Sequence, residues 1–102
     1  MKNSNRVSTV TRNTYETKIN IKVNLDGKGI HSISTGLPFF DHMLEQLSKH
    51  SLIDLELECI GDLKVDAHHT IEDCGWALGN AIKEALGEKR GIKRYSFNYL
   101  PM

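Results

Sequence analysis

Apolar and polar residues alternate most regularly between Tyr15 and Leu25, where Ile19, Ile21, Val23 and Leu25 are interleaved with Lys18, Asn20, Lys22 and Asn24. A period of two is the signature of a half-buried strand. A second such run sets Ile53, Leu55, Leu57 and Cys59 against Asp54, Glu56 and Glu58. Arg6 to Arg12 makes a shorter strand. Asp26-Gly27-Lys28-Gly29 reads as a hairpin turn, with Ile30 to Thr35 as the returning strand. Helical spacing begins at Gly36-Leu37-Pro38, since proline suits a first turn. It runs to about His50 with an apolar stripe of Phe40, Met43, Leu44 and Leu47. After a turn at Gly61-Asp62 and a short Leu63-Lys64-Val65 segment, a second helix spans about Ala67 to Leu86. Asp66 is its expected N-cap and Gly87 its stop. The order strand–strand–strand–helix–strand–helix predicts an α+β two-layer sandwich, a mixed sheet with two helices on one face.

One stretch of the second helix carries unusual chemistry: Asp66-Ala67-His68-His69-Thr70-Ile71-Glu72-Asp73. His68 and Glu72 are one turn apart, and His69 and Glu72 are neighbours at i, i+3. On a wheel of about 100° per residue, Ile71 centres a core stripe with Ala67, Cys74, Leu78, Ile82 and Ala85. His68, Glu72 and His69 then fall at roughly 60°, 100° and 160°, beside the buried face, where a packed neighbour completes a site. Imidazole and carboxylate together form a donor set for a first-row transition metal. Adjacent histidines point one residue step apart, which fits two ions better than one. The rival reading has equal standing on spacing alone: a solvent-facing His-His pair, with Glu72 and Asp73 serving the helix dipole. The order is not HExxH, so metalloprotease chemistry is not implied.

Composition narrows the classes. The 102 residues make one domain, 1–102, with a zero formal charge that predicts no general affinity for nucleic acid or anionic membrane. No apolar run nears the ~20 residues of a membrane span, and no signal-peptide apolar region follows Met1, so the cytoplasm is the expected compartment. Cys59 and Cys74 fall at apolar positions and read as buried free thiols. His31 and His50 have no convergent carboxylate nearby in sequence and read as structural. Trp76 reads as core or interface. The stretch Lys89-Arg90-Gly91-Ile92-Lys93-Arg94 is basic, with Tyr95, Phe97 and Tyr99 after it.

The histidine stretch has company: Arg12-Asn13-Thr14-Tyr15-Glu16-Thr17, Thr35-Gly36-Leu37-Pro38-Phe39-Phe40-Asp41-His42-Met43-Leu44, Ala77-Leu78-Gly79-Asn80-Ala81 and Arg90-Gly91-Ile92-Lys93-Arg94-Tyr95. In this order and spacing the set resembles the imidazoleglycerol-phosphate dehydratase family, over roughly Arg6 to Met102. Members are about twice this length and built from two similar halves, of which this chain resembles the first. The resemblance implies a half-unit of the ribosomal protein S5 domain 2-like fold. It also implies manganese-dependent dehydration of imidazole glycerol phosphate to imidazole acetol phosphate, in histidine biosynthesis. His42, His68, His69 and Glu72 would be ligands of a two-manganese site. Glu16 would be the acid/base residue near the substrate, with Gln46 and Arg94 as substrate contacts, the arginine for the phosphate. The hydrogen lost in this reaction is not alpha to a carbonyl, so the imidazole ring must serve as the electron sink while a glutamate moves protons. The second half's own His-His-x-x-Glu set lies beyond this resemblance. The expected partners are a small phosphorylated imidazole and further copies of the chain, sharing metal ligands. Two alternatives stand beside this: an inactive metal-binding assembly module, and a metal-dependent phosphate-ester hydrolase.

Overall fold

The computed structural model describes residues 6–89, 91–93, 95–97 and 99. Its elements are β1 (Val7–Asn13), β2 (Thr17–Asn24), β3 (His31–Ser34), α1 (Pro38–Ser51), β4 (Asp54–Gly61) and α2 (His68–Leu86). They form one mixed four-stranded sheet and two helices, the expected α+β class. The period-two runs behave as predicted. Ile19, Ile21 and Val23 of β2 and Leu55, Leu57 and Cys59 of β4 point inward and are buried, while Lys18, Asn20, Lys22, Glu56 and Glu58 face out.

Strand order corrects one expectation. Residues 26–29 do not close a hairpin, because the sheet runs β1-β2-β4-β3 and β3 lies parallel to β4 at the far edge. The reason is burial. β4 carries three fully inward apolar residues and takes a central place, antiparallel to β2, whereas β3 offers only Ile33, half-buried. The 26–29 segment is held by side chains instead. Asp54 accepts the N–H groups of Lys28 and Ile30 at 2.8 and 2.9 Å, and Asp26 pairs with Arg6 at 2.9 Å. Those contacts hold both carboxyls below their ordinary range, through backbone N–H groups for Asp54 and the Arg6 guanidinium for Asp26.

Both helices lie over the sheet, but not on the predicted faces. In α1, Leu44 and Ser48 are buried and Phe40 is partly buried, while Met43 and Leu47 stay exposed. In α2 the buried residues are Thr70, Cys74, Ala77, Ala81 and Ala85, a stripe whose centre is turned by roughly 80° from Ile71. Small side chains let α2 approach the sheet closely, whereas the bulkier Ile71 would hold it off, so Ile71 remains outside. Asp66 is not the N-cap: Ala67 is, and the Asp66 carboxylate takes the Ala67 N–H at 2.6 Å. Gly87 ends the helix as predicted, its N–H bonding the Lys83 carbonyl.

Candidate functional site

Topology gathers the candidate residues at one end of the sheet. β3 and β4 run parallel, so α1 and the loop leading to α2 both leave from the same edge. β2 runs the opposite way and starts there, with Thr17 opposite Gly61. The β1–β2 turn, which holds Glu16, therefore lies at that end as well. Loops and helix starts at one end of a rigid sheet are where function is commonly built.

Within the first turn of α2, two separate acid–imidazole pairs form. His68 Nε2 lies 2.8 Å from Glu72 Oε2, with the two side chains 67% and 66% exposed. This is the predicted i, i+4 neighbourhood. His69 turns elsewhere: its Nδ1 is 2.8 Å from Asp62 Oδ2. Holding Nδ1 this way presents Nε2 outward as a free donor atom, the arrangement common to metal-binding imidazoles. The Asp62 hydrogen bond raises the His69 pKa above its ordinary value, and the charges of Asp62, Glu16 and Asp73 add to it. Sequence reading missed Asp62 by assigning Gly61-Asp62 to a turn; a carboxylate seven residues before a histidine carries no periodic signal.

The rotation of α2 sets where these donors face. Measured from the centre of the buried stripe, Glu72 is almost diametrically opposite the sheet and His68 is close to it. They do not flank the core, as the wheel had placed them; they face away from it. Among the described residues, no three His, Cys, Asp or Glu side chains converge to hold a metal. The donors are of the right kind for manganese, imidazole nitrogen and carboxylate oxygen, but each pair is only part of a coordination sphere. They fit the ion as partial sets.

Glu16 falls in the run from Tyr15 to Leu25 that reads as strand, but it stands in the turn just before β2. Threonine chemistry explains this. Thr14 Oγ1 accepts the N–H groups of Glu16 and Thr17 at 3.2 and 3.0 Å, and the Thr14 N–H bonds the Thr17 carbonyl at 2.8 Å. These local bonds take amides that a ladder would otherwise use. Thr14 and Thr17 hydroxyls are 3.1 Å apart, and Thr17 Oγ1 donates to Asp73 Oδ2 at 2.6 Å. Arg12 lies with its guanidinium 4.2 Å above the Trp76 ring and 3.9 Å from Asp73 Oδ1.

His42 sits exposed in α1, after Asp41, whose carboxylate accepts the Thr35 N–H at 3.0 Å and the Thr35 hydroxyl. That contact fixes the start of α1. Gln46 is partly buried, and its Oε1 is 3.0 Å from His50 Nε2 on the same helix. Arg94 lies outside the described residues. Cys59 and Cys74 are the buried free thiols expected, and burial is the main cause that pushes both upward. A shallow groove of about 310 Å³ on the open sheet face is lined by Thr9, Asn20, Lys22, Ser32, Glu56 and their neighbours. None of the candidate residues touches it.

The structure is a small α+β unit, with two acid–imidazole pairs at one end of its sheet. Comparison with known sequences makes it specific. The pattern of the imidazoleglycerol-phosphate dehydratase family matches residues 35–102. The imidazoleglycerol-phosphate dehydratase of Albidiferax ferrireducens is 55% identical over 97 residues, 95% of this chain and 48% of its own length. That of Pelotomaculum thermopropionicum is 58% identical over 97% of this chain and 51% of its own. That of Cereibacter sphaeroides is 58% identical over 95% and 50%. The chain belongs to the imidazoleglycerol-phosphate dehydratase family, and it spans about half the length of the curated relatives it matches.

Proposed function

We propose that this chain provides half of an imidazoleglycerol-phosphate dehydratase site, and that copies of it associate to complete that site in the cytoplasm. The observation carrying the reading is its 55–58% identity to the dehydratases across alignments that cover 95–97% of the chain. In this reading His42, His68, His69 and Glu72 hold manganese, supplied from more than one copy. When bound, the ions polarise the substrate imidazole and make it an electron sink. Glu16 moves the proton, working beside His69. Asp62 keeps the His69 Nδ1 proton in place so that Nε2 is available. Gln46 orients the substrate, once released from His50, and Arg94 pairs with its phosphate.

The exposed helix surface supports association. Phe39, Met43 and Leu47 recur at i, i+4 and i+8 on α1 and are all exposed, Phe39 by 74%. Ile71 and Trp76 add exposed apolar area on α2. A second copy is the natural cover for such a patch in a chain whose donor sets are incomplete. A dehydratase assay with added manganese, on protein of measured native mass, tests the reading. Turnover in an oligomer that contains manganese is expected, and a metal-free, inactive monomer refutes it. A non-catalytic assembly module is favoured by one observation, the lack of a converged three-donor group among the described residues. Glu16→Gln separates the two: turnover should vanish while the mass stays the same.

A further inference from the structure

We propose that Asp73 is a positioning residue for Glu16, fixing the β1–β2 turn through a one-way hydrogen-bond chain that ties it to the first turns of α2. The inference rests on the acid/base role given to Glu16 above, and it assigns that residue a support on another element.

The direction of the chain follows from its end. A carboxylate oxygen can only accept, so the 2.6 Å contact uses the Thr17 hydroxyl proton. In the 3.1 Å contact between the two threonine hydroxyls, Thr17 Oγ1 must then accept and Thr14 must donate. The lone pairs of Thr14 Oγ1 are left to receive the amides of Glu16 and Thr17. The result is a chain from the Glu16 N–H through Thr14 and Thr17 to Asp73, each link polarising the next. Thr17 is 1% exposed, so the central hydroxyl has no competing water. Arg12, over Trp76, sits 3.9 Å from the other Asp73 oxygen, so each oxygen of the carboxylate has a neighbour on a different strand. Asp73 follows Glu72 directly, so the histidine turn and the Glu16 turn move as one body.

Amide hydrogen exchange on the full chain tests the wiring. Thr17→Val keeps the β-branched shape and deletes the hydroxyl, while Thr17→Ser keeps the hydroxyl. In T17V the Glu16 amide should exchange about tenfold faster, with T17S within about twofold of wild type. Asp73→Ala should match T17V. Equal Glu16 exchange in T17V and T17S overturns the proposal, and so does equal acceleration at Ile21 and Leu57 deep in the sheet. In the dehydratase assay, T17V should lower kcat about tenfold with KM within about twofold, and T17S should restore it. Unchanged kcat in T17V overturns the positioning role. Full turnover in E16Q instead removes the role of Glu16 itself and leaves the exchange pattern as it was, so the two failures are told apart.

Discussion

Gly61 ends β4 against Thr70 of α2, and Gly61→Ala should destabilise the fold through a single contact. A Cβ there would stand 2.0 Å from Thr70 Oγ1 and 3.3 Å from Thr70 Cβ. Thr70 is fully buried, and its hydroxyl has no hydrogen-bond partner among the described residues. Alanine itself favours folding by roughly 0.5–1 kcal/mol over glycine in a strand. Overpacking against a buried side chain works against it by about 1–3 kcal/mol. The net expectation is a loss of about 1–2 kcal/mol for G61A. Thr70→Ala should be near neutral, because the lost methyl, about 1 kcal/mol, is offset by deleting an unpaired buried hydroxyl. With Oγ1 gone, the added Cβ meets Thr70 Cβ at a tight but tolerable 3.3 Å and Thr17 Cγ2 at an ordinary 3.6 Å. The double variant should therefore match T70A within about 0.5 kcal/mol, a coupling of about 1–2 kcal/mol. Urea unfolding of all four proteins at one fixed concentration measures this. Additivity of the two single effects would refute the contact.

Three shorter predictions follow from charge and burial. In metal-free protein, the His69 ring should titrate above its ordinary value by NMR, and Asp62→Asn should bring it down toward about 6.5, since Asp62 is the main cause of the rise. Because the folded value is raised, the stability from this pair is full below about pH 6.5 and fades as pH climbs through the folded value. Asp54 is depressed by the Lys28 and Ile30 amides, so its contribution is present above about pH 3.9 and disappears as pH falls through the folded value. The stability gap between wild type and Asp54→Asn should close across that acid window in urea titrations. Cys59 and Cys74 should alkylate with iodoacetamide about a hundredfold more slowly in native protein than in urea at pH 8, and fast native labelling would contradict their burial.

The legible part of the sequence was whatever one element decides alone. β2 and β4 were readable because each strand carries its own alternation, and α2 because His68 and Glu72 meet within it. What failed depended on other elements. β3 has a single inward apolar residue, so its partner was decided by β4, which no local pattern names. The phase of α2 was misjudged because Ile71 looks like core, while closeness to the sheet favours Ala77 and Ala81. Glu16 left the strand because Thr14, two residues earlier, captures its amide. Asp62 reaches His69 through the fold of the β4–α2 loop, where the Val65 and Asp66 amides bond the Asp62 carbonyl.

The phase of α2 has a consequence for metal binding under the proposed function. Small residues toward the sheet force Glu72 and His68 to the opposite side, where no third donor joins them among the described residues. Under the proposed function the remaining donors come from another copy, so metal binding and association become one linked equilibrium. Linkage is reciprocal: manganese must raise the association constant by the same factor by which association raises manganese affinity. Sedimentation of the wild-type chain should shift to larger species with manganese and back with chelator. His68→Ala should weaken the manganese-dependent part and leave the apolar part, carried by Phe39, Met43 and Leu47, in place. Leu47→Glu should weaken association with and without the metal, by placing a charge in the apolar patch. A monomeric mass that ignores manganese, in a chain that still binds it, would mean that one copy completes the coordination by itself, and the outward donors would then need no partner.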